Sequence, residues 1–333
     1  MAGAGKTKIT AFLGKYSIFV ILVGAFILSS LLNRNFLSAQ NLINVLRQNS
    51  VVTILAFGET MLIIAGLIDL SCGAVLAVSG VFGIVVFKAT GNLALSFAVG
   101  MTLAVAFNVL SGILVSVFKT PPFIATLAVT TISRGVVLLY TFGQPIYQIG
   151  RFNVFGQGSV AFIPIPVIFM ILMLGVTWYI LNHTRFGRAL YAIGGNEEAA
   201  NASGINTPRA KFLCYVINGF LVGLAGIVFM SRVNAGLPGA GVSYEFEGLT
   251  AAVIGGTSFS GGIGTAMGTF AGSFIVGILN NIMNLLGVDS YVQQILKGVI
   301  IAAAVVIDIN TKAKRSRPAV ISGDSPGESE SRN

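Results

Sequence analysis

Few side chains in this 333-residue sequence are equipped for reaction chemistry. There is one histidine, His183, and there are two cysteines, Cys72 and Cys214, neither in a CxxC pair. No Ser/His/Asp set, metal-ligand cluster or carboxylate pair points to an enzyme. Gly5-Lys6-Thr7 resembles the end of a phosphate-binding loop, but that loop also needs a glycine five residues before Gly5 and a preceding strand. Lys6 is therefore expected to act as an orientation charge. The cysteines are expected to be small packing residues, and His183 a helix-end residue favoured by the helix dipole. The remaining polar groups are set inside apolar runs. Glu59, Arg134 and Lys297 lie within such runs, where a lone charge costs on the order of several kcal/mol. For Glu59 the expected partner is a backbone break or a polar side chain such as Arg47. Asp69 follows Gly66 and precedes Ser71. It can N-cap a helix starting near Leu70 or line a polar route through the bundle. Asn108, Asn218, Asn280, Asn281, Gln293 and Gln294 can line such a route or bond neighbouring helices together.

The elements that must position these groups follow from composition. Hydrophobic residues make up 55% of the chain and charged residues 9%, and the mean hydropathy is +0.88. An ordinary soluble domain carries about 25% charged residues. These figures exclude a soluble globular enzyme, a disordered chain and a collagen. The long unbroken apolar runs disfavour a β-barrel. The expectation is an all-α polytopic membrane protein with about ten transmembrane helices, some short or broken. The expected spans are 16–33, 42–67, 71–88, 93–118, 122–141, 162–182, 210–231, 247–256, 263–286 and 291–309. Residues 1–15 are read as a cytoplasmic N-terminus preceding an uncleaved first span. Residues 312–333 are read as a basic stretch followed by a disordered tail.

The net charge of +9 is not a nucleic-acid signature, because the basic residues sit at the ends and in the loops. With both termini cytoplasmic, twelve basic residues ahead of the distal Arg332 fall inside. Arg34, Arg47, Lys88, Arg151 and Arg232 fall outside. A shift of 168 residues lays Gly100–Leu127 on Gly268–Ile295. Five spans in each half would make the halves inverted repeats, a common transporter architecture. The runs Gly264-xxx-Gly268-xxx-Gly272 and Gly219-xxx-Gly223 are expected to bring helices close within the subunit.

Residues 183–209 form the longest hydrophilic internal segment. Asn196 is placed to cap a short helix opened by Glu197 and Glu198, and acids in a first turn suit the helix dipole. Ala199, Ala200 and Ala202 keep that helix slim, and Gly204 is placed to end it. Such a helix either slots into a partner's groove or merely joins two spans.

At this point the sequence resembles a family. Gly194-Gly195-Asn196-Glu197-Glu198-Ala199-Ala200 and Ser203-Gly204-Ile205-Asn206 are similar to the coupling loop of ABC-importer permeases, in particular the ribose/xylose/galactose class of bacterial sugar permeases. Ile68-Asp69-Leu70-Ser71 with Gly73, Pro121 to Leu127 with Arg134-Gly135, Gly255 to Ser258 with Gly261-Gly262, and Leu279 to Val288 agree in order. The resemblance runs from about residue 16 to residue 311. Leu67 and Cys72 depart from the Gly and Val of the pattern, on either side of the Asp-Leu-Ser core.

The resemblance implies a permease dimer, with a homodimer expected, in the bacterial inner membrane. It implies cytoplasmic ATPase subunits that bind the 194–206 loop and carry ATP and Mg. It also implies an external sugar-binding protein that delivers a pentose, a hexose or a related polyol. No cofactor is expected in this chain. A sugar needs hydroxyl partners along its route, and Glu59, Asp69, Ser71, Asn108, Asn218 and Asn280 are the candidates. The competing reading is an ion-coupled secondary transporter relying on Glu59 or Asp308, and a third is a passive channel.

Overall fold

The computed structural model describes residues 3–315, with side chains described from Ser17 to Val306 apart from Ala304. The expected disordered tail therefore lies outside the described residues. The first half contains α1 (Gly3–Leu32), α2 (Ala39–Ile64), α3 (Cys72–Thr90), α4 (Leu93–Ser116) and α5 (Pro122–Thr141). A connecting stretch carries the single-turn α6 (Val154–Gln157) and a two-residue hairpin pairing Ser159–Val160 with Ile163–Pro164. Then come α7 (Ile165–His183), α8 (Arg185–Gly195), α9 (Glu197–Ala202) and α10 (Thr207–Val233). The described residues end with α11 (Tyr244–Ile254), α12 (Ala266–Leu285) and α13 (Ser290–Arg315).

Local chemistry sets most boundaries. Ser38, Asn92 and Thr265 cap α2, α4 and α12 by accepting backbone N–H bonds from Asn41, Leu95 and Gly268. Proline occupies the first positions of α5, α7 and α10, where its missing N–H has no intrahelical partner to lose. Left-handed Gly91, Phe142 and Asn234 end α3, α5 and α10.

Six helices are long and apolar enough to cross a membrane: α3, α4, α5, α7, α10 and α12. The apolar part of α1, Ser17–Leu32, is shorter. α2 opens with Arg47-Gln48-Asn49 inside its length, and α11 has only 11 residues. Among the described residues the ten expected crossings thus divide into six clear ones and four elements with weaker signals.

α2 is buried on every face from Asn49 to Ile64, and α10 carries a similar buried run from Leu221 to Ser231. Helices buried all round form the centre of a bundle. α10 packs across α4 and α3, α2 packs across α12 and α11, and the two cross each other. α5 rests on α3 and α4, while α13 rests on α11. The expected glycine runs work inside the subunit. Gly219 faces Asn108 and Val105 of α4, and Gly268 and Gly272 face Gly255 and the end of α11.

Two backbone breaks interrupt this packing. Residues 65–71 separate α2 from α3, with Gly66 at φ +73°. Residues 234–243 separate α10 from α11, with Asn234, Gly241 and Ser243 all at positive φ. The start of α3, just after the first break, meets the second break at two glycines. A Cβ on Gly73 would fall on the Gly241 carbonyl oxygen and the Glu245 carboxylate, and a Cβ on Gly241 would fall on the Gly73 carbonyl.

Candidate functional site

The first polar centre is built around the 65–71 break. Asp69 Oδ1 accepts from the Ser71 backbone N–H at 2.7 Å and from the Ser71 hydroxyl at 2.5 Å. Its Oδ2 accepts from Asn218 Nδ2 of α10 at 2.7 Å. Asn218 Nδ2 also donates to Asn108 Oδ1 of α4 at 3.1 Å. Glu59 Oε2 lies 3.5 Å from the Asp69 backbone N–H, a weak bond. Glu59, Asp69, Ser71, Asn108 and Asn218 are all fully buried. Five of the six candidate pathway residues thus converge from α2, the break, α4 and α10. Asn280 does not join them. It lies on α12 beside Asn49 and Glu247, in a separate cleft nearer the start of α2.

Two local expectations are corrected. Asp69 is not an N-cap at Leu70. α3 starts at Cys72 with Ser71 in the capping position, and Ser71 makes no side-chain cap bond because its hydroxyl turns back to Asp69. Nor does Arg47 reach Glu59. It donates instead to the Gln157 carbonyl at 3.1 Å and lies 3.4 Å from the Ser159 hydroxyl. Twelve residues along one helix separate Arg47 and Glu59 by about 18 Å. The backbone break is the partner of Glu59.

The group has unused bonding capacity. Glu59 Oε1 and Asn218 Oδ1 are buried acceptors without hydrogen-bond partners. Both suit O–H donors, and a cluster of amide, hydroxyl and carboxyl groups is what a polyhydroxyl solute can exchange bonds with. Two of the charges set within apolar runs find their partners at or beside the second break. Arg134 of α5 donates to the Pro238 and Ala240 carbonyls, both at 2.7 Å. Lys297 of α13 pairs with Glu247 of α11 at 2.6 Å. Neither Glu245 nor Glu247 was singled out from sequence, although both acids stand at the start of a short apolar helix.

The second polar centre is the α8–α9 unit. Thr184 caps α8 by accepting from Gly187 N–H at 2.9 Å, and Asn196 caps α9 by accepting from Ala199 N–H at 2.9 Å. Gly204, at φ +85°, ends α9, and Ile205 N–H closes back on the Ala200 carbonyl at 3.1 Å. Ala200 is buried with Ile193 and Ala210, so α9 is seated on α8 and α10 through one small side chain. Glu197 pairs with Lys211 of α10 at 2.6 Å. Glu198 is exposed and has no ion-pair partner among the described residues.

Gly194 is pressed against the end of α2, so that a Cβ there would fall on the Ile64 carbonyl oxygen. The neighbouring Gly262 N–H donates to that carbonyl at 2.9 Å. Tyr191 donates its hydroxyl to the Gly264 carbonyl at 2.7 Å, and partial burial pushes its phenol up, so it stays a neutral donor. Gly195 is exposed. Between this unit and the first break lies a cavity of about 830 Å³ whose lining includes Gly66, Leu67, Lys119, Glu197, Glu198 and Lys211. The remaining sequence expectations are placed simply. Cys72 and Cys214 are free and buried, and His183 closes α7 edge-on to Trp178. Among the described residues no group of His, Cys, Asp and Glu is arranged to hold a metal.

Residues 41–305 match the family described as branched-chain amino acid transport system / permease component. The chain is 43% identical over 304 residues to the ribose import permease protein RbsC of Bacillus subtilis, covering 90% of this chain and 92% of that protein. It is 40% identical over 306 residues to the ribose import permease protein RbsC of Haemophilus influenzae, covering 90% and 95%. It is 36% identical over 297 residues to the D-allose transport system permease protein AlsC of Escherichia coli, covering 89% and 90%. No solved structure matches the chain.

Proposed function

The chain belongs to the branched-chain amino acid transport system / permease component family, and on that premise we propose that it is the membrane subunit of an ATP-driven importer for a monosaccharide or a related polyol. The substrate class is supported by the relatives named for ribose and allose across nine-tenths of the chain. The coupling to ATP rests on one observation. A capped six-residue helix, α9, is held on the bundle by Ala200 and Lys211 and leaves Glu198 facing outward. A cytoplasmic ATPase subunit docks there, and ATP and Mg belong to that subunit. An external binding protein delivers the sugar at the opposite face, and a second copy of this chain completes the pathway.

In this reading the α9 end of the bundle faces the cytoplasm, with both termini on that side, and the protein sits in the cytoplasmic membrane. The mutual packing of α10 on α3 and α4 and of α2 on α11 and α12 is what an inverted repeat of five spans would produce. Alternating access is then a rocking of two packed bodies, α3–α4–α10 and α2–α11–α12, about the α2–α10 crossing. Glu59, Asp69, Ser71, Asn108 and Asn218 supply hydrogen-bond partners near the inner end of the route, and Asn280 supplies one nearer the outer end.

The test is purification of the tagged chain in mild detergent with mass spectrometry of what remains bound. A stoichiometric partner with a Walker motif, and hydrolysis stimulated by ribose together with the binding protein, is the expected result. Uptake into liposomes holding all partners that is indifferent to ATP would overturn the reading in favour of ion coupling through Glu59.

A further inference from the structure

The coupling helix and the first backbone break lie at opposite sides of the inner cavity, and one stripe of α10 touches both. Lys211, Tyr215 and Asn218 stand at i, i+4 and i+7 and therefore share a helix face over two turns, about 10 Å. The first grips α9, and the other two grip the 65–71 break. Lys211 pairs with Glu197 of α9 at 2.6 Å. Tyr215, fully buried, donates its hydroxyl to the Ile68 carbonyl at 2.9 Å. Asn218 donates to the Asp69 carboxylate at 2.7 Å.

The two upper bonds hold consecutive residues of the break. Gly66 and Leu67, just before them, line the same cavity as Glu197 and Lys211. Lys211 is mostly buried at 17% side-chain exposure while Glu197 is half exposed at 48%. The pair is thus anchored on the α10 side and open on the α9 side.

We propose that Lys211, Tyr215 and Asn218 form a transmission stripe, which ties the coupling helix to the 65–71 break so that displacement of α9 moves the inner end of the pathway. This rests on the coupling reading given above. It also separates two neighbouring acids. Glu197 is committed to α10, and Glu198 is the acid presented to the ATPase. Lys211 and Tyr215 are positioning residues in this scheme. They touch neither nucleotide nor sugar, and they act through Glu197 and through the break. The glycine seat of Gly194 on Ile64 is a second fixed point, at the end of α8 just before α9.

The experiment uses the full complex of this chain, its ATPase subunits and its binding protein in liposomes, with ribose as the probe. Three quantities are read: ATPase retained on the tagged chain, basal hydrolysis, and hydrolysis and uptake stimulated by loaded binding protein. Lys211→Glu is expected to retain the ATPase and to lose stimulation at least fivefold. Glu197→Lys combined with Lys211→Glu is expected to recover stimulation to within twofold of the parent, and Lys211→Arg to keep at least half. Tyr215→Phe removes only the hydroxyl that holds Ile68 and is expected to lower stimulated uptake severalfold at unchanged ATPase retention.

The stripe is overturned if the charge exchange is no better than Lys211→Glu alone. It is also overturned if Lys211→Glu and Tyr215→Phe both leave stimulation within twofold of the parent. If the parent chain itself retains no ATPase, the coupling reading fails, and this inference falls with it.

Discussion

The two central helices are held to their neighbours by different chemistry. Where α10 meets α3 and α4, glycines bring the backbones together, and two side-chain bonds cross, Ser79 to the Gly223 carbonyl at 2.8 Å and Asn218 to Asn108 at 3.1 Å. Gly219 faces Asn108 and Val105, Gly223 faces Ala104 and Met101, and Gly226 faces Leu76, while Gly80 of α3 faces Gly226 in return. Where α2 meets α12, the contact is made by polar side chains. Thr53 and Ser273 share a 2.8 Å bond, Thr60 and Thr269 a 2.6 Å bond, and Asn41 and Asn281 bond each other twice at 3.0 and 2.8 Å. A glycine seam fits best at one separation and one register, because a gap of about an ångström forfeits up to about half of the dispersion attraction between backbones. A hydroxyl seam has a fallback. The hydroxyls of Thr53, Thr60, Thr269 and Ser273 each have a carbonyl of their own helix within donating distance, at 2.8, 2.7, 3.2 and 2.8 Å, to which the single proton can turn. Separation of that seam therefore loses only the cross bonds. The α3–α4–α10 block is built as a rigid body, and the α2–α12 seam is the one suited to slide.

The sharpest way to break this comparison is to thicken the glycine seam. Gly226→Val places a side chain on the Leu76 carbonyl, and overpacking that moves backbone exceeds the usual 1–3 kcal/mol. The expected outcome is loss of the monodisperse peak on size exclusion in detergent. Gly135 of α5, with open space around its Cα, is the control. Gly135→Ala should leave the melting temperature unchanged or raise it, since alanine favours the helix by about 1 kcal/mol. A well-folded Gly226→Val would show that the seam has slack and remove the argument for a rigid block.

The polar bonds inside that block come next in size. Asn218→Ala strands a carboxylate oxygen of Asp69 and the carbonyl oxygen of Asn108. Buried groups left unpaired in this way cost about 1–3 kcal/mol each. Asn108→Ala leaves the Asn218–Asp69 bond in place, so its melting temperature should fall less. The reverse order, Asn108→Ala below Asn218→Ala, would place the weight of the cluster on α4 rather than on the break.

What could be read from the sequence divides along the same line between local and distant chemistry. The α9 unit was legible because its signals are contiguous. Asn196, the two acids and Gly204 lie within nine residues, and Asn196 and Gly204 act on backbone within one turn of themselves. Most helix positions were legible for a similar reason, since apolar runs and their capping residues are neighbours. The polar centre was legible only as a set of candidates. Asp69 and Asn218 are 149 residues apart and Asn108 and Asn218 110 apart, so nothing local announces which asparagine meets the acid. Of the two readings of Asp69, the cap rested on Asp-Leu-Ser after a glycine, which has cap composition. The hydroxyl of Ser71 decides otherwise by bonding Asp69 instead of the helix N-terminus. Lys211 is one of the twelve basic residues that the charge bias puts inside. Its spacing to Tyr215 and Asn218 was visible, but its partner Glu197 sits 14 residues away across a turn.

The smallest effect belongs to the hydroxyl seam, and it is the most informative about motion. Thr60→Val deletes the bond to Thr269 at nearly constant volume, and Thr269 retains its own-helix carbonyl at 3.2 Å. Interhelical hydrogen bonds within membrane bundles average about 0.6 kcal/mol, so the loss should be near that value. Thr269→Val should cost a similar amount. The double variant should cost no more than either single, because each single already removes the shared bond. Thermal unfolding of the four proteins in one detergent measures the cycle. An additive double variant would mean that the two hydroxyls act independently, each through its own helix, so the α2–α12 seam would be held by packing like its counterpart. A coupling of the expected size, with stability otherwise intact, leaves α2 free to shift against α12 at little cost while α10 stays locked to α4.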